Sequence, residues 1–451
     1  MTKEYNMTVR NILLVLLVST IGAMQAVAQS EVVHLSLDEA LDLAQRQNHQ
    51  ILIAQQEVIQ AKGAHKEAWS GFLPQISVSE TYLKSTDPVA AFGTKLRQGV
   101  FTMQDFDIDA LNHPDEIDDF ASLVSIQQPL FNLDAIYGKR AANMALNARE
   151  QGMIRTQETI VLEVKKAYFG LILAFRHRDA IAQAIQAAEV HYQEVSVAYE
   201  KGLVTESDRL AAQVRIGELT EQHVMAEHQI DQASDGLCFL LGLEQYTRIQ
   251  PTGSLEVTEA LPSLDVAGID TGVSRADLRA LAYQHKAAHY QHKMELASWL
   301  PRLNAFGTAE WHGTDPFGTA GDHWTLGARL EWNLFDGLGR YGRWEQTAAA
   351  AKKVEIQYRQ ASEKSKIDLR QSWRAMQSAQ KRIQVARQAV EHAEEGLRIV
   401  EERFREGLEK SSTVLDHEVA LTRAQLRLVQ AQYDFKIAYS EFEFYQGQPV
   451  D

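Results

Sequence analysis

Apolar residues recur along two long stretches of the chain at the spacing of a helical seam. Ile181, Ile185, Ala188, Tyr192, Val195 and Tyr199 step by 4, 3, 4, 3 and 4 residues, the alternation that keeps one stripe against a partner helix in a coiled coil. Ala386, Val390, Ala393, Leu397, Val400 and Phe404 repeat the same steps. Adding 205 to each member of the first set gives the second, and the pairs Gly202 and Gly407, and Gly242 and Gly447, keep that offset. The chain therefore carries an internal duplication in register.

Proline placement says how long the helices are. None occurs between Pro129 and Pro251, or between Pro316 and Pro449, and a proline inside a helix costs about 3 kcal/mol. Both runs are rich in Ala, Glu, Gln, Arg and Leu. Each holds one breaker cluster, Lys201-Gly202-Leu203 and Glu406-Gly407-Leu408. This predicts two helical hairpins that turn at those glycines. A helix from about Asp134 to Lys201 would be roughly 100 Å long, beyond any ordinary globular core.

Upstream of each hairpin the period changes from helical to two. Phe72-Leu73-Pro74-Gln75-Ile76 matches Trp299-Leu300-Pro301-Arg302-Leu303, and Leu130-Phe131-Asn132 matches Leu334-Phe335-Asp336. Two strands are expected between each pair of markers. Trp324, Leu326, Ala328, Leu330 and Trp332 alternate with Thr325, Gly327, Arg329 and Glu331. Ala328 is expected to face hydrocarbon and Gly327 a lumen. The preceding strand offers Leu303, Ala305, Gly307, Ala309 and Trp311. In the first repeat Ile76, Val78 and Tyr82, and Phe120, Val124 and Ile126, take the same face, interrupted by Glu80 and Ser122. A soluble antiparallel sheet is the competing reading. The length of about ten to twelve residues and the aromatics near the strand ends instead suit a transmembrane barrel. Four strands cannot close a barrel, for which eight is the usual minimum. Their edges must pair with other copies of the chain.

The rest of the chain falls around this duplication. Residues 1–28 read as an export signal: Lys3 and Arg10 precede the apolar run Ile12 to Val18, and Ala26-Val27-Ala28 is a small-x-small cleavage site. No later stretch is long and apolar enough to cross a membrane as a helix. The first repeat spans 29–242 and opens with a capping box, Ser36 followed by Glu39. Residues 243–273, with two prolines and several glycines, read as a linker. The second repeat spans 274–451, its first helix beginning near Ser274.

Composition then narrows the function. The 60 acidic against 45 basic residues argue against nucleic acid as a partner. The sole cysteine, Cys238, reads as a buried apolar residue and forbids an intrachain disulfide. His285, His289 and His292 lie at i, i+4 and i+7, a spacing that can hold a metal. Lys286 and Lys293 between them, and the lack of a patterned carboxylate, favour a solvated face and no metal. No phosphate loop, metalloprotease motif or cysteine pair is present, and no cofactor is implied. Very long helices leave little room for a concave pocket, so a conduit is favoured over an exported enzyme. A periplasmic coiled-coil adaptor or scaffold is the alternative, although such a chain would carry one hairpin rather than two.

The duplication, the Leu-Pro strand starts, Trp332-Asn333-Leu334-Phe335-Asp336-Gly337 and the Gly-Leu turns together resemble the TolC family of outer-membrane efflux proteins over essentially the whole mature length. The resemblance implies a mainly α chain with β: duplicated long antiparallel hairpins forming an α-barrel tunnel in the periplasm. Four transmembrane strands per chain would join a twelve-stranded barrel completed by a homotrimer in outer-membrane lipid. It also implies docking to a periplasmic adaptor and an inner-membrane pump through a tip that includes Gly202, Leu203, Asp208, Gly407 and Leu408. In the family two acidic residues three apart often ring the pore entrance. Here those gate positions are Thr413 and Asp416. A basic residue that ties the closed tip in some members is here Glu409, with Lys410 next to it. The first outer loop, about Leu83 to Asp119, is roughly 23 residues longer than its counterpart and acidic towards its end.

Overall fold

Positions 205 apart in the sequence fold alike. The structure, a computed structural model, describes residues 32–244, 247–257 and 275–447. In chain order the elements are β1 (Val32–Leu35), α1 (Leu37–Gln47), α2 (His49–Glu67), β2 (Gln75–Ser85), α3 (Pro88–Gln98), α4 (Ile108–Asn112), β3 (Ile117–Phe131), α5 (Leu133–Glu200), α6 (Glu206–Leu241), β4 (Arg248–Pro251), α7 (Ala276–Ala297), β5 (Arg302–Gly313), β6 (Gly321–Glu331), α8 (Gly339–Arg405) and α9 (Ser411–Gln446). The long helices α5 and α8 run 68 and 67 residues, and α6 and α9 both run 36. The expected signal segment and Ser274 lie outside the described residues. Ser36 and Glu39 cap α1 reciprocally, as the sequence predicts.

Two compact units divide the described residues. One draws on residues up to Ala54, from Met153 to Arg275 and from Glu363 onward; the other on Gln55–Gly152 and Ala276–Ser362. Each takes part of both repeats, so the units cut across the duplication.

The first unit is helical and held by three apolar clusters. Tyr168, Leu171, Ile230, Leu237 and Leu241 bury their side chains with Leu35, Cys238 and Ile249. Here part of the expected linker folds: β4 pairs in parallel with β1, Ile249 opposite Val33. The Tyr168 hydroxyl donates to the Leu35 carbonyl at 3.0 Å and accepts from the Gly253 amide at 3.0 Å. Leu369, Met376, Phe435 and Phe442 form a second cluster. The third joins the two seams, with Val195 of the first repeat packed against Leu397, Val400, Phe404 and Val414 of the second. Burying a side chain of this size contributes about 1.5–3 kcal/mol, which is how a seam holds helices of this length together.

The second unit contains a four-stranded sheet in the order β2-β3-β5-β6, antiparallel throughout. Pro74 and Pro301 stand immediately before β2 and β5, where a missing amide donor does no harm to the ladder. A bulge at Pro129–Phe131 shifts the register of β3 against β5.

Candidate functional site

The strand register puts the apolar residues of all four strands on one face. Ile76 stands opposite Ile126, Val78 opposite Val124 and Tyr82 opposite Phe120. Ile126 and Val124 stand opposite Gly307 and Ala309. Those two in turn stand opposite Leu326 and Trp324, while Ala305 faces Ala328 and Leu303 faces Leu330. Trp324 is 78 % exposed and Leu326 75 %, and Ala328 is exposed as well. An apolar face this open has the character that a barrel wall needs towards lipid. Glu80 and Ser122, which interrupt the pattern, stand opposite one another, and the Ser122 hydroxyl donates to Glu80. The other Glu80 oxygen accepts from the Phe317 amide at 3.2 Å. Trp332 lies one residue beyond β6, and its indole donates to the Trp299 carbonyl at 3.0 Å. Trp332 thus packs by the end of α7 and takes no part in the ladder.

The opposite face is polar. Ser77 and Ser125 hydrogen-bond at 2.7 Å, and Thr308 stands opposite Thr325. Gly327 is on this face as expected, but not in open lumen. The ring of Phe306 lies over it so closely that an added Cβ would come within 2.7 Å of the ring. The glycine therefore seats the cross-strand aromatic. Edge strands β2 and β6 run in opposite directions, so β6 of one chain can continue the antiparallel ladder onto β2 of the next. Such a heterologous edge closes into a ring.

The two helical turns share one backbone. Gly202 and Gly407 have φ of +72° and +73°. The Leu203 amide donates to the Ala198 carbonyl at 2.9 Å and the Leu408 amide to the Arg403 carbonyl at 2.8 Å, while the glycine amides donate one residue further along, to Tyr199 and Phe404. This is the Schellman ending, whose left-handed residue glycine adopts without strain. Leu203 is 75 % and Leu408 63 % exposed. A groove that includes Leu203 is lined by Val197, Val204 and Phe404 together with the charged Glu194, Lys201, Arg405 and Glu409.

Their side chains differ. Asp208 closes a capping box with Thr205, accepting from its amide at 3.0 Å and its hydroxyl at 2.6 Å. Those bonds, with help from nearby Lys410, hold the Asp208 carboxyl below its usual range. In the second turn Lys410 and Thr413 occupy the corresponding positions and no side chain caps the helix. Glu409 takes the Thr413 hydroxyl at 3.1 Å and pairs with Arg403 at 3.7 Å. Asp416 is exposed and pairs with neither Lys410 nor Arg423. Two residues on, Glu418 is buried with one carboxylate oxygen unpartnered. Burial pushes it up to about 7, offset in part by Arg215 and reinforced by Glu401.

The three histidines do not converge. His292 bonds the Thr347 hydroxyl at 3.1 Å and lies against Trp344. Burial and the neighbouring Lys293 lower His289. Among the described residues no group of three or more His, Cys, Asp or Glu is placed to hold a metal. Cys238 is fully buried, its thiol against the Thr247 carbonyl at 3.2 Å.

Sequence reasoning missed one cluster at the loop end of the sheet. His312 and Asp119, both buried, meet at 2.9 Å. The Gln98 amide donates to Asp119 at 2.9 Å and to the Asp118 carbonyl at 2.8 Å. It pins the long outer loop to the strands. The acidic run ending at Asp118-Asp119 was visible in the sequence, but its cross-strand partner was not.

An open antiparallel sheet with one lipid-suited face, and duplicated hairpins ending in matched exposed turns, define the subunit of an oligomeric barrel channel. The outer membrane efflux protein family model matches residues 40–243 and 271–448, and the chain belongs to that family. It is similar to the alkaline protease secretion protein AprF of Pseudomonas aeruginosa, with 24 % identity over 340 residues, 74 % of this chain and 70 % of that protein. Among solved structures it resembles the outer membrane protein VceC of Vibrio cholerae (TM-score 0.76, 19 % identity, 91 % of this chain and 96 % of that one). It also resembles the CmeC outer membrane channel of Campylobacter jejuni (TM-score 0.80, 15 % identity, 91 % and 85 %). The protein is thus an outer-membrane efflux channel with a periplasmic helical tunnel.

Proposed function

We infer that the trimer is a passive export duct, without catalysis of its own, fed by an inner-membrane pump through a periplasmic adaptor seated on the helical turns. The observation that carries this reading is the matched pair of exposed leucines, Leu203 and Leu408, each held out by a glycine-terminated helix. A solvated turn has no need of a large apolar residue, and none is needed twice. Asp208 shapes the first turn by capping α6. Asp416, exposed and without an ion-pair partner, lines the pore entrance in this reading. Thr413, engaged with Glu409, contributes a polar group but no second ring of charge. The name of AprF supports secretion of a polypeptide as one use of such a duct. Leu203→Asp combined with Leu408→Asp should leave the trimer intact while abolishing export and adaptor crosslinking. Undiminished export in that variant would make the turns purely structural.

A further inference from the structure

The long first outer loop is a folded unit seated on the lumenal side of the wall. Asp87 caps α3 by accepting from the Ala90 amide at 2.7 Å, Pro88 opens the helix, and Gly99 at φ +69° ends it. Lys95 meets Asp105 at 2.8 Å, and with the Thr102 bonds holds that carboxyl down to about 2. Phe101 packs edge-on between Phe92 and Phe106. A loop with its own caps, ion pair and aromatic core keeps one shape.

Its seat is the polar face of the sheet. Ala91, Thr94 and Gln98 form the buried stripe of α3. Gln98 bonds Asp119, and the ring of His323 bonds the Arg97 carbonyl at 2.9 Å. Asp119 and His323 share the face of Ser125, Thr308 and Thr325, the one turned away from lipid. Gly321 lets α3 approach so closely that an added Cβ would collide with the Arg97 carbonyl. The helix therefore lies inside the barrel wall at its loop end.

The stripe of α3 opposite that seat is apolar and exposed at its two ends, with Phe92 between them resting one edge on Phe101. At 100° per residue, Val89, Phe92 and Leu96 fall roughly opposite Ala91, Thr94 and Gln98. Val89 is 80 % exposed, Leu96 49 % and Phe92 37 %. A helix whose back rests on the wall turns this stripe to the axis. Twelve strands about 4.8 Å apart and tilted about 40° make a ring roughly 24 Å across. Three helices, each about 10–12 Å thick with side chains, nearly fill that bore.

We propose that the Val89, Phe92 and Leu96 stripes of the three copies meet on the threefold axis and form an apolar seal at the outer mouth of the duct. The occupant of each stripe is the same stripe of the other two chains, continuous with the interface that closes the barrel. An apolar constriction of this kind opposes the passage of water and ions by dewetting. It would keep external solutes out until cargo pushes the helices apart.

The test uses the full-length trimer in intact cells, in a chain carrying Cys238→Ser. A membrane-impermeant maleimide added outside should label Thr308→Cys, on the lumenal face below the seal, slowly. Adding Val89→Ser, Phe92→Ser and Leu96→Ser should speed that labelling roughly tenfold or more, because a polar constriction stays wet. Equal rates in the two backgrounds, with trimer present in both, would overturn the proposal. If the triple variant does not assemble, Phe92→Cys alone decides the matter. A short bifunctional thiol crosslinker should join its chains into covalent dimers and trimers, and monomer alone after crosslinking would overturn the seal.

Discussion

The turns at Gly202 and Gly407 are two copies of one design that have kept the backbone and lost the side chains. Both end a helix of nearly 70 residues on a left-handed glycine followed by an exposed leucine. The first then starts its return helix with a full capping box, Thr205 and Asp208, whereas the second has Lys410 and Thr413 and no side-chain cap. The comparison separates what the hairpin requires from what it tolerates. A chain reversal in so few residues needs a positive φ, and no side chain can supply that. The cap is worth about 1 kcal/mol, a loss that packing against the seam can absorb. The second turn is accordingly the easier of the two to open.

The glycines give the largest expected effect. Gly202→Val and Gly407→Val each force a β-branched residue into the left-handed region at a cost of about 1–2 kcal/mol. Amide exchange around both turns should quicken, more so at the uncapped second. Unchanged exchange at either would mean that the turn adopts another backbone. The caps come next. Thr205→Ala should cost about 1 kcal/mol at the start of α6, whereas Lys410→Thr with Thr413→Asp should install the missing box and slow exchange at the start of α9 by about fivefold. Failure of that transplant would show that the turns differ in backbone after all. The smallest structural effect belongs to Asp416, whose counterpart in the first repeat is Ala211. In planar bilayers Asp416→Ala should weaken cation selectivity and block by polyvalent cations, with trimer yield unchanged. Unaltered selectivity would remove Asp416 from the pore lining.

Much of the fold was legible because the long helices are governed by local rules. Val195, Leu397, Val400 and Phe404 of the predicted seams fall in the buried tip cluster, whereas Tyr199 stays exposed; the predicted glycines end the helices, and the period-two positions share one face of the sheet. What stayed hidden depends on distant partners. Strand β4 is four residues long, too short for a period, and forms only because Ile249 enters the core beside Leu35 and Tyr168. The face of the sheet that carries Gly327 was readable, but Phe306 above it was not, since register fixes that contact. The outer loop showed only its length and its acidic end; its helix α3 went unread, and its seat rests on Gln98, Asp119 and His312, which only the folded sheet brings together. At the candidate site the turn glycines and leucines were plain in the sequence. The environments of Thr413 and Asp416 were not, because exposed side chains obey no periodicity.

The account stands on one face of the sheet meeting lipid and the other meeting the lumen. Ala328→Arg places a charge on the apolar face near mid-strand, where it costs about 2–4 kcal/mol per chain. Thr325→Arg places the same charge on the polar face, clear of the Phe306 ring that covers Gly327. Native mass spectrometry of detergent-extracted protein should show abundant trimer for Thr325→Arg and a strong loss of trimer for Ala328→Arg. Equal yields, or the reverse order, would contradict the assignment of the two faces and with it the channel wall.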